Sequence, residues 1–121
     1  MAERAWVQQA HDYYNTRLQR CAGLLNGDVS ADITLPRHRD VTIHITGTFG
    51  GATVTVKGSN DFGAPITYDT LDDAFGDLLS ITLADIKLRQ LLPAPYRIRV
   101  EVSGGDGSTS ITAAVRMGTI T

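Results

Sequence analysis

Along much of this chain, apolar and polar residues alternate with the two-residue period that sends successive side chains to opposite faces of a β-sheet. Val41, Ile43 and Ile45 take one phase while Thr42, His44 and Thr46 take the other, and Val54 and Val56 alternate with Thr53, Thr55 and Lys57. Gly47, Gly50, Gly51 and Gly58 bracket the second run and permit the positive φ of tight turns. The two runs are therefore expected to pair as a hairpin across Phe49-Gly50-Gly51. The cleanest alternation is Tyr96, Ile98, Val100 and Val102 against Arg97, Arg99 and Glu101. Gly104-Gly105-Asp106-Gly107 then turns the chain into Ile111, Ala113, Val115 and Met117, a second expected hairpin.

The remaining segments are shorter. Leu18, Cys21, Leu24 and Leu25 suit a first strand or a helix end, closed by the turn Asn26-Gly27-Asp28. Ile33 and Leu35 form a short strand that stops at Pro36, and Arg37-His38-Arg39-Asp40 is a polar loop. Beyond the turn Asn60-Asp61-Phe62-Gly63, the residues Ile66, Tyr68 and Leu71 suggest another strand, and 71–77 reads as a loop with room for one helical turn. Leu79, Ile81 and Leu83 share one phase, but Ile86 and Leu88 take the opposite one. Such a flip implies a bulge, a corner or a change of sheet. At the start of the chain Ala5, Trp6, Val7, Ala10, Tyr13 and Tyr14 make an imperfect apolar stripe that suits a short helix or an extended arm.

About seven or eight short strands without a long crossover helix predict an all-β protein, an antiparallel β-sandwich of jelly-roll-like or immunoglobulin-like type. Residues 1–15 form the N-terminal arm or short helix in this reading, and residues 16–121 a single β-sandwich domain. The Cys…Trp…Cys pattern of true immunoglobulin domains is missing.

With 121 residues, 42% hydrophobic and 20% charged, the chain suits one folded domain. A net charge of -2 and scattered basic residues predict no direct contact with nucleic acid. Cys21 is the only cysteine, which excludes an intrachain disulfide and suits folding in a reducing compartment. The first residues lack the basic-then-apolar pattern of a signal peptide, and no apolar run reaches the length of a membrane-spanning helix. No membrane association is expected.

Candidate chemistry is sparse. His11, His38 and His44 have no ligand-like spacing, and His44 falls on the polar phase of its strand. Asp69, Asp72, Asp73 and Asp77 supply the hard oxygens that calcium takes, but not at EF-hand spacing; turn formation accounts for them equally. No Gly-x-Ser-x-Gly occurs, and the glycines of 104–107 lack the Gly-Lys-Ser/Thr of a phosphate loop. The expectation is a protein that is not an enzyme and holds no metal or cofactor. Trp6, Tyr13, Tyr14, Phe62, Tyr68 and Tyr96 could stack on sugars, or could serve packing and interfaces.

The segment Gly47-Thr48-Phe49-Gly50-Gly51-Ala52-Thr53-Val54 with Gly58-Ser59-Asn60-Asp61 resembles a motif in small virion proteins of tailed bacteriophages. Tyr96-Arg97-Ile98-Arg99-Val100 and the stretch Val102–Ser110 are similar to the closing hairpin of the same group, and with Leu24–Asp28 the resemblance covers residues 16–117. One departure is Phe62-Gly63-Ala64-Pro65, where relatives carry a tryptophan soon after the Asn-Asp turn. The resemblance implies a structural virion protein made in the bacterial host cytoplasm. It would be a capsid cement or decoration protein that binds the major capsid protein on the outer head surface and self-associates as a dimer or trimer. A neck or tail accessory protein and a carbohydrate-binding module are the alternatives. Partner contacts are expected from Trp6, Tyr13 and Tyr14 and from the loops 36–40 and 69–77, through Arg37, His38, Arg39, Asp72 and Asp73.

Overall fold

The computed structural model describes residues 3–11, 17–35, 40–61, 65–91 and 94–118, and among them every regular element is a β-strand. One sheet contains β1 (Glu3–Arg4), β4 (Val29–Ser30), β5 (Ile33–Thr34), β7 (Thr53–Ser59), β8 (Asp69–Thr70), β9 (Ser80–Ile81) and β11 (Arg97–Ser103), in the order β1-β4-β11-β7-β8 with β5 also on β11 and β9 also on β7. The second sheet is β10-β6-β12-β3-β2, built from β2 (Val7–His11), β3 (Arg17–Leu24), β6 (Asp40–Thr48), β10 (Leu88–Leu91) and β12 (Ser110–Gly118). Val54, Val56, Ile98, Val100 and Val102 of the first sheet and Val41, Ile43, Ile45, Ile111, Ala113 and Val115 of the second are buried in one core cluster. The alternation thus does what it predicts: one face of each sheet is apolar, and the two faces share a dry interior.

The pairing differs from the expectation. The runs at 41–46 and 53–57 are not partners in a hairpin, because β6 lies in one sheet and β7 in the other. The same holds for β11 and β12. Instead β6 pairs with β12 from Ser110↔Thr48 to Gly118↔Asp40, and β7 pairs with β11 from Arg97↔Ser59 to Ser103↔Thr53. Each glycine-rich connection is an arch between layers, and the two arches stack their strands pairwise. Gly47 is where this close approach is felt: its φ is +115°, and a Cβ there would overlap the Ser110 carbonyl oxygen. The turn Asn26-Gly27 joins the same end of the molecule, with the Asn26 amide donating to the Gly105 carbonyl at 3.1 Å and accepting from its N–H at 3.0 Å.

The short helix or free arm at the N-terminus is also corrected. Residues 3–11 are extended: β1 adds to the first sheet beside β4, and β2 adds to the second beside β3. The β1–β4 pair is parallel, in contrast to the all-antiparallel expectation. An imperfect helical stripe here conceals two short strands in different layers. Trp6, between them, is half-buried against the core and donates its indole N–H to the Ala31 carbonyl at 2.8 Å. Arg4 holds β1 down through an ion pair with the buried Asp28 at 3.1 Å. The expected helical turn within 71–77 is a turn without helix, and the strand expected around Ile66–Leu71 reduces to Asp69–Thr70. The phase flip at Ala84-Asp85 proves to be a change of sheet, from β9 in the first to β10 in the second.

Candidate docking surface

The change of sheet after β9 builds the most exposed apolar surface among the described residues. Leu71 donates its N–H to Val56, and Leu79, fully buried, donates back to Leu71, so the intervening segment leaves the sheet as a small excursion closed by the Asp72↔Leu78 bridge. At its tip stands Phe75, 90% exposed. The chain then returns through β9 and a turn in which Asp85 accepts from the N–H and hydroxyl of Thr82, at 2.9 and 3.0 Å. It enters β10 with Ile86 and Leu88 also outside, at 74% and 59% exposure.

Phe75, Ile86 and Leu88 line a shallow cavity of about 110 Å³ together with Asp73, Asp77, Arg89 and Gln90. Its base is rigid. One Asp73 oxygen accepts from the N–H groups of Phe75 (2.9 Å) and Asp77 (3.0 Å), and the other pairs with the Arg89 guanidinium at 3.0 Å. Arg89 also donates through Nε to the Ile86 carbonyl, and the Ala74 N–H ties the excursion to the Gln90 carbonyl at 2.9 Å. Burial alone would push the Asp73 carboxyl up, but the two backbone donors and Arg89 outweigh it and hold the group below its ordinary value.

β10 is an edge strand of the second sheet. The Lys87 carbonyl accepts from the Ile45 N–H, so the alternate residue Leu88 turns its own N–H and C=O away from β6, toward the open side. Single exposed leucines are ordinary on a protein surface; a phenylalanine, an isoleucine and a leucine lining one cavity beside an open edge are not. Covering each would stabilise a complex by roughly 1.5–3 kcal/mol. Three exposed apolar side chains beside an open strand edge make a surface suited to binding.

A second cluster covers the outer face of the first sheet. Lys57 and Arg99 both pair with Glu101, Arg97 pairs with Asp32, and the Tyr68 hydroxyl donates to Asp32. Burial, the hydrogen bond to Asp32 and that residue's charge together raise the Tyr68 hydroxyl above its usual value. The Arg99 guanidinium lies 3.8 Å from the centre of the Tyr68 ring, and Arg97 lies 5.3 Å from that of Tyr96. One face of Tyr68 and one of Tyr96 are thus taken by an arginine.

The residues singled out from sequence are dispersed. Tyr13, Tyr14, Arg37, His38 and Arg39 lie outside the described residues. Trp6 is half-buried at the opposite edge region, between β1 and β2. Asp72 is exposed in the excursion, and Asp73 is buried beneath the cavity. Phe75 falls within the 69–77 loop expected to make partner contacts but is not among the residues named there, and Ile86 and Leu88 lie outside the sequence candidates. Their signal is an aromatic in an Asp-Gly turn and two apolar residues on the opposite phase to Leu79 and Ile81.

No protein-family model matches the sequence, and no curated protein does. Among solved structures, the chain is similar to the SPBc2 prophage-derived protein YomS, with a TM-score of 0.61 at 9% identity over 89% of this chain and 98% of that one. It also aligns with PliG, a periplasmic inhibitor of g-type lysozyme from Aeromonas hydrophila, with a TM-score of 0.47 at 11% identity over 98% of both chains. The cupin domain of Schizosaccharomyces pombe Cnp3 gives a TM-score of 0.43 at 9% identity, over 95% of this chain and 60% of that one. With the prophage-derived protein this chain shares a fold.

Proposed function

We propose that this chain is a non-enzymatic structural protein of a tailed-phage particle, a cement or decoration protein bound to the outer surface of the head across junctions between major capsid subunits. The observation that carries the reading is the apolar cavity at the open β10 edge, set on an internally hydrogen-bonded scaffold. Its fold likeness to a prophage-derived protein and the resemblance of residues 16–117 to small virion proteins support the same reading. Shallow apolar contacts of this kind bind weakly one at a time, but repetition over a symmetric shell converts them into firm retention.

The strand order supports the jelly-roll-like form of the sandwich. From β3 onward the chain passes back and forth between layers, placing β3, β12, β6 and β10 side by side in one and β4, β11, β7 and β8 in the other. That is the interleaving of two Greek keys, a fold that recurs in capsid proteins.

The test is quantitative mass spectrometry of purified particles, reading copies of this chain per major capsid protein. Copies in the hundreds support cement; a dozen or fewer transfer the chain to the neck or tail; absence from the particle overturns the virion reading. Sedimentation of the purified chain reads the expected dimer or trimer.

A further inference from the structure

We infer that the cavity between Phe75, Ile86 and Leu88 receives one apolar side chain from an extended, basic segment of a partner protein. The inference rests on the docking reading above and adds the chemistry of the occupant.

Size comes first. A cavity of about 110 Å³ is below the roughly 300–1,000 Å³ of small-molecule sites, but suits a single leucine-sized or phenyl-sized anchor. Phe75, Ile86 and Leu88 make most of the wall apolar, with the charged groups at its base and rim, so the anchor is apolar.

Charge decides what flanks the anchor. Between Lys57 and Lys87 the sequence has six aspartates, Asp61, Asp69, Asp72, Asp73, Asp77 and Asp85, and not one Lys, Arg or His. Asp73 is neutralised by Arg89 beneath the cavity, whereas Asp77 lines it and is exposed, and Asp72 is exposed nearby. Lys87 does not offset them from inside the cavity: it donates to the Leu83 and Asp85 carbonyls and lies 5.7 Å from the centre of the Phe49 ring. A partner approaching this rim is favoured by Lys or Arg on either side of its anchor. A second copy of this chain is disfavoured, because a two-fold contact would set Asp77 and Asp72 of one copy against those of the other.

Backbone geometry adds the conformation. Leu88 presents an N–H and a C=O outward from the edge strand, which are the groups an added strand uses, while the Ala74–Gln90 bond closes the next position. The open stretch is short. It fits a few extended residues around the anchor.

The experiment titrates the full chain, labelled with ¹⁵N, with three short synthetic peptides: Lys-Lys-Leu-Lys-Leu-Lys, the same peptide with Glu for every Lys, and the same with Ser for every Leu. The inference expects amide shifts confined to 73–77 and 86–90 with the first peptide alone. Affinity should fall about tenfold from 0.1 M to 1 M salt, as the Debye length shrinks from about 10 Å to about 3 Å. Leu88→Ser and Asp77→Lys should each abolish binding while leaving the remaining spectrum folded. Equal binding of the acidic peptide, shifts elsewhere, or unchanged binding by both variants overturns it, as does a concentration-dependent dimer that Phe75→Ser abolishes. Copy number per particle separates the two failures. Leu88→Ser chain retained on heads at wild-type copies overturns the cavity and leaves the virion reading standing; a chain that binds the basic peptide but is absent from particles does the reverse.

Discussion

Thr109 donates its hydroxyl to the carbonyl oxygen of Phe49 at 2.8 Å, sixty residues away in the chain, and so ties the two interlayer arches to each other. The Thr109 hydroxyl oxygen in turn accepts from the Asp106 N–H at 3.0 Å, and the residue is only 1% exposed. One side chain therefore serves a donor and an acceptor that strand pairing leaves over.

Replacing Thr109 with valine keeps the shape and removes both bonds. The Phe49 carbonyl keeps the Ala52 N–H at 2.9 Å, so the expected loss is about 1 kcal/mol, that of the lost hydrogen bonds themselves. Urea denaturation reads it, and Thr109→Ser, which keeps the hydroxyl, should recover most of the loss.

Stability should fall in acid. Donation from the Ser108 hydroxyl and N–H lowers the Asp106 carboxyl, donation from the Thr82 N–H and hydroxyl lowers Asp85, and Asp73 is lowered as described. The sign follows from linkage: a folded-state value below the unfolded one, near 3.8, contributes stability that is present above that pH and lost as pH falls through the folded value. The urea midpoint should be level down to about pH 5 and decline below about pH 4. Asp73→Asn should lower the midpoint at neutral pH and make the acid decline shallower.

Cys21 is fully buried, its Sγ 3.7 Å from the Arg4 carbonyl oxygen. Burial, partly opposed by the Arg4 charge and reinforced by that of Asp28, pushes the thiol up to about 11 from 9.0. The native protein should be inert to a thiol reagent at pH 8 and react with one equivalent in urea. Because the folded value is raised, this group's contribution is complete below pH 9.0 and is lost as pH rises toward about 11. Cys21→Ala should remove part of that alkaline decline.

Trp6 is the chain's only tryptophan, so its fluorescence reports the N-terminal region alone. A half-buried indole that donates to Ala31 should emit at shorter wavelength in the native state and shift to the red on unfolding. Trp6→Ala should cost about 2 kcal/mol through lost packing and the lost indole hydrogen bond, the Ala31 carbonyl keeping the Ser30 hydroxyl as donor. Native emission at the wavelength of free tryptophan, with no loss of stability on substitution, would restore the free-arm expectation for this residue.

The faces of the strands are legible from sequence and their partners are not. Val41, Ile43 and Ile45 and Val54 and Val56 all point inward as their alternation predicts, since period two reports which side of a sheet is dry. It carries no information on which strand lies beside which. A glycine-rich reversal permits a hairpin or an arch, and the decision rests with distant partners: β12 for β6 and β11 for β7. The N-terminal strands are hidden because β1 has two residues and the chain changes layer at Ala5-Trp6, leaving no run long enough to establish a period. At the docking surface, Asp73 reads as an exposed loop acid because its partner Arg89 lies sixteen residues on, beyond any local pattern.

The arches also set the order in which this molecule can come into being. During synthesis, β6 and β7 emerge long before β12 and β11, the strands that flank them, and both of those lie beyond residue 96. Neither layer can be completed from the first half of the chain, and neither can assemble without drawing the other with it. The last strand in chain order among the described residues, β12, is the central member of its five-stranded sheet. Loss of even that last stretch, Ser110–Gly118, would leave β6 and β3 as unjoined edges with their apolar faces open to water.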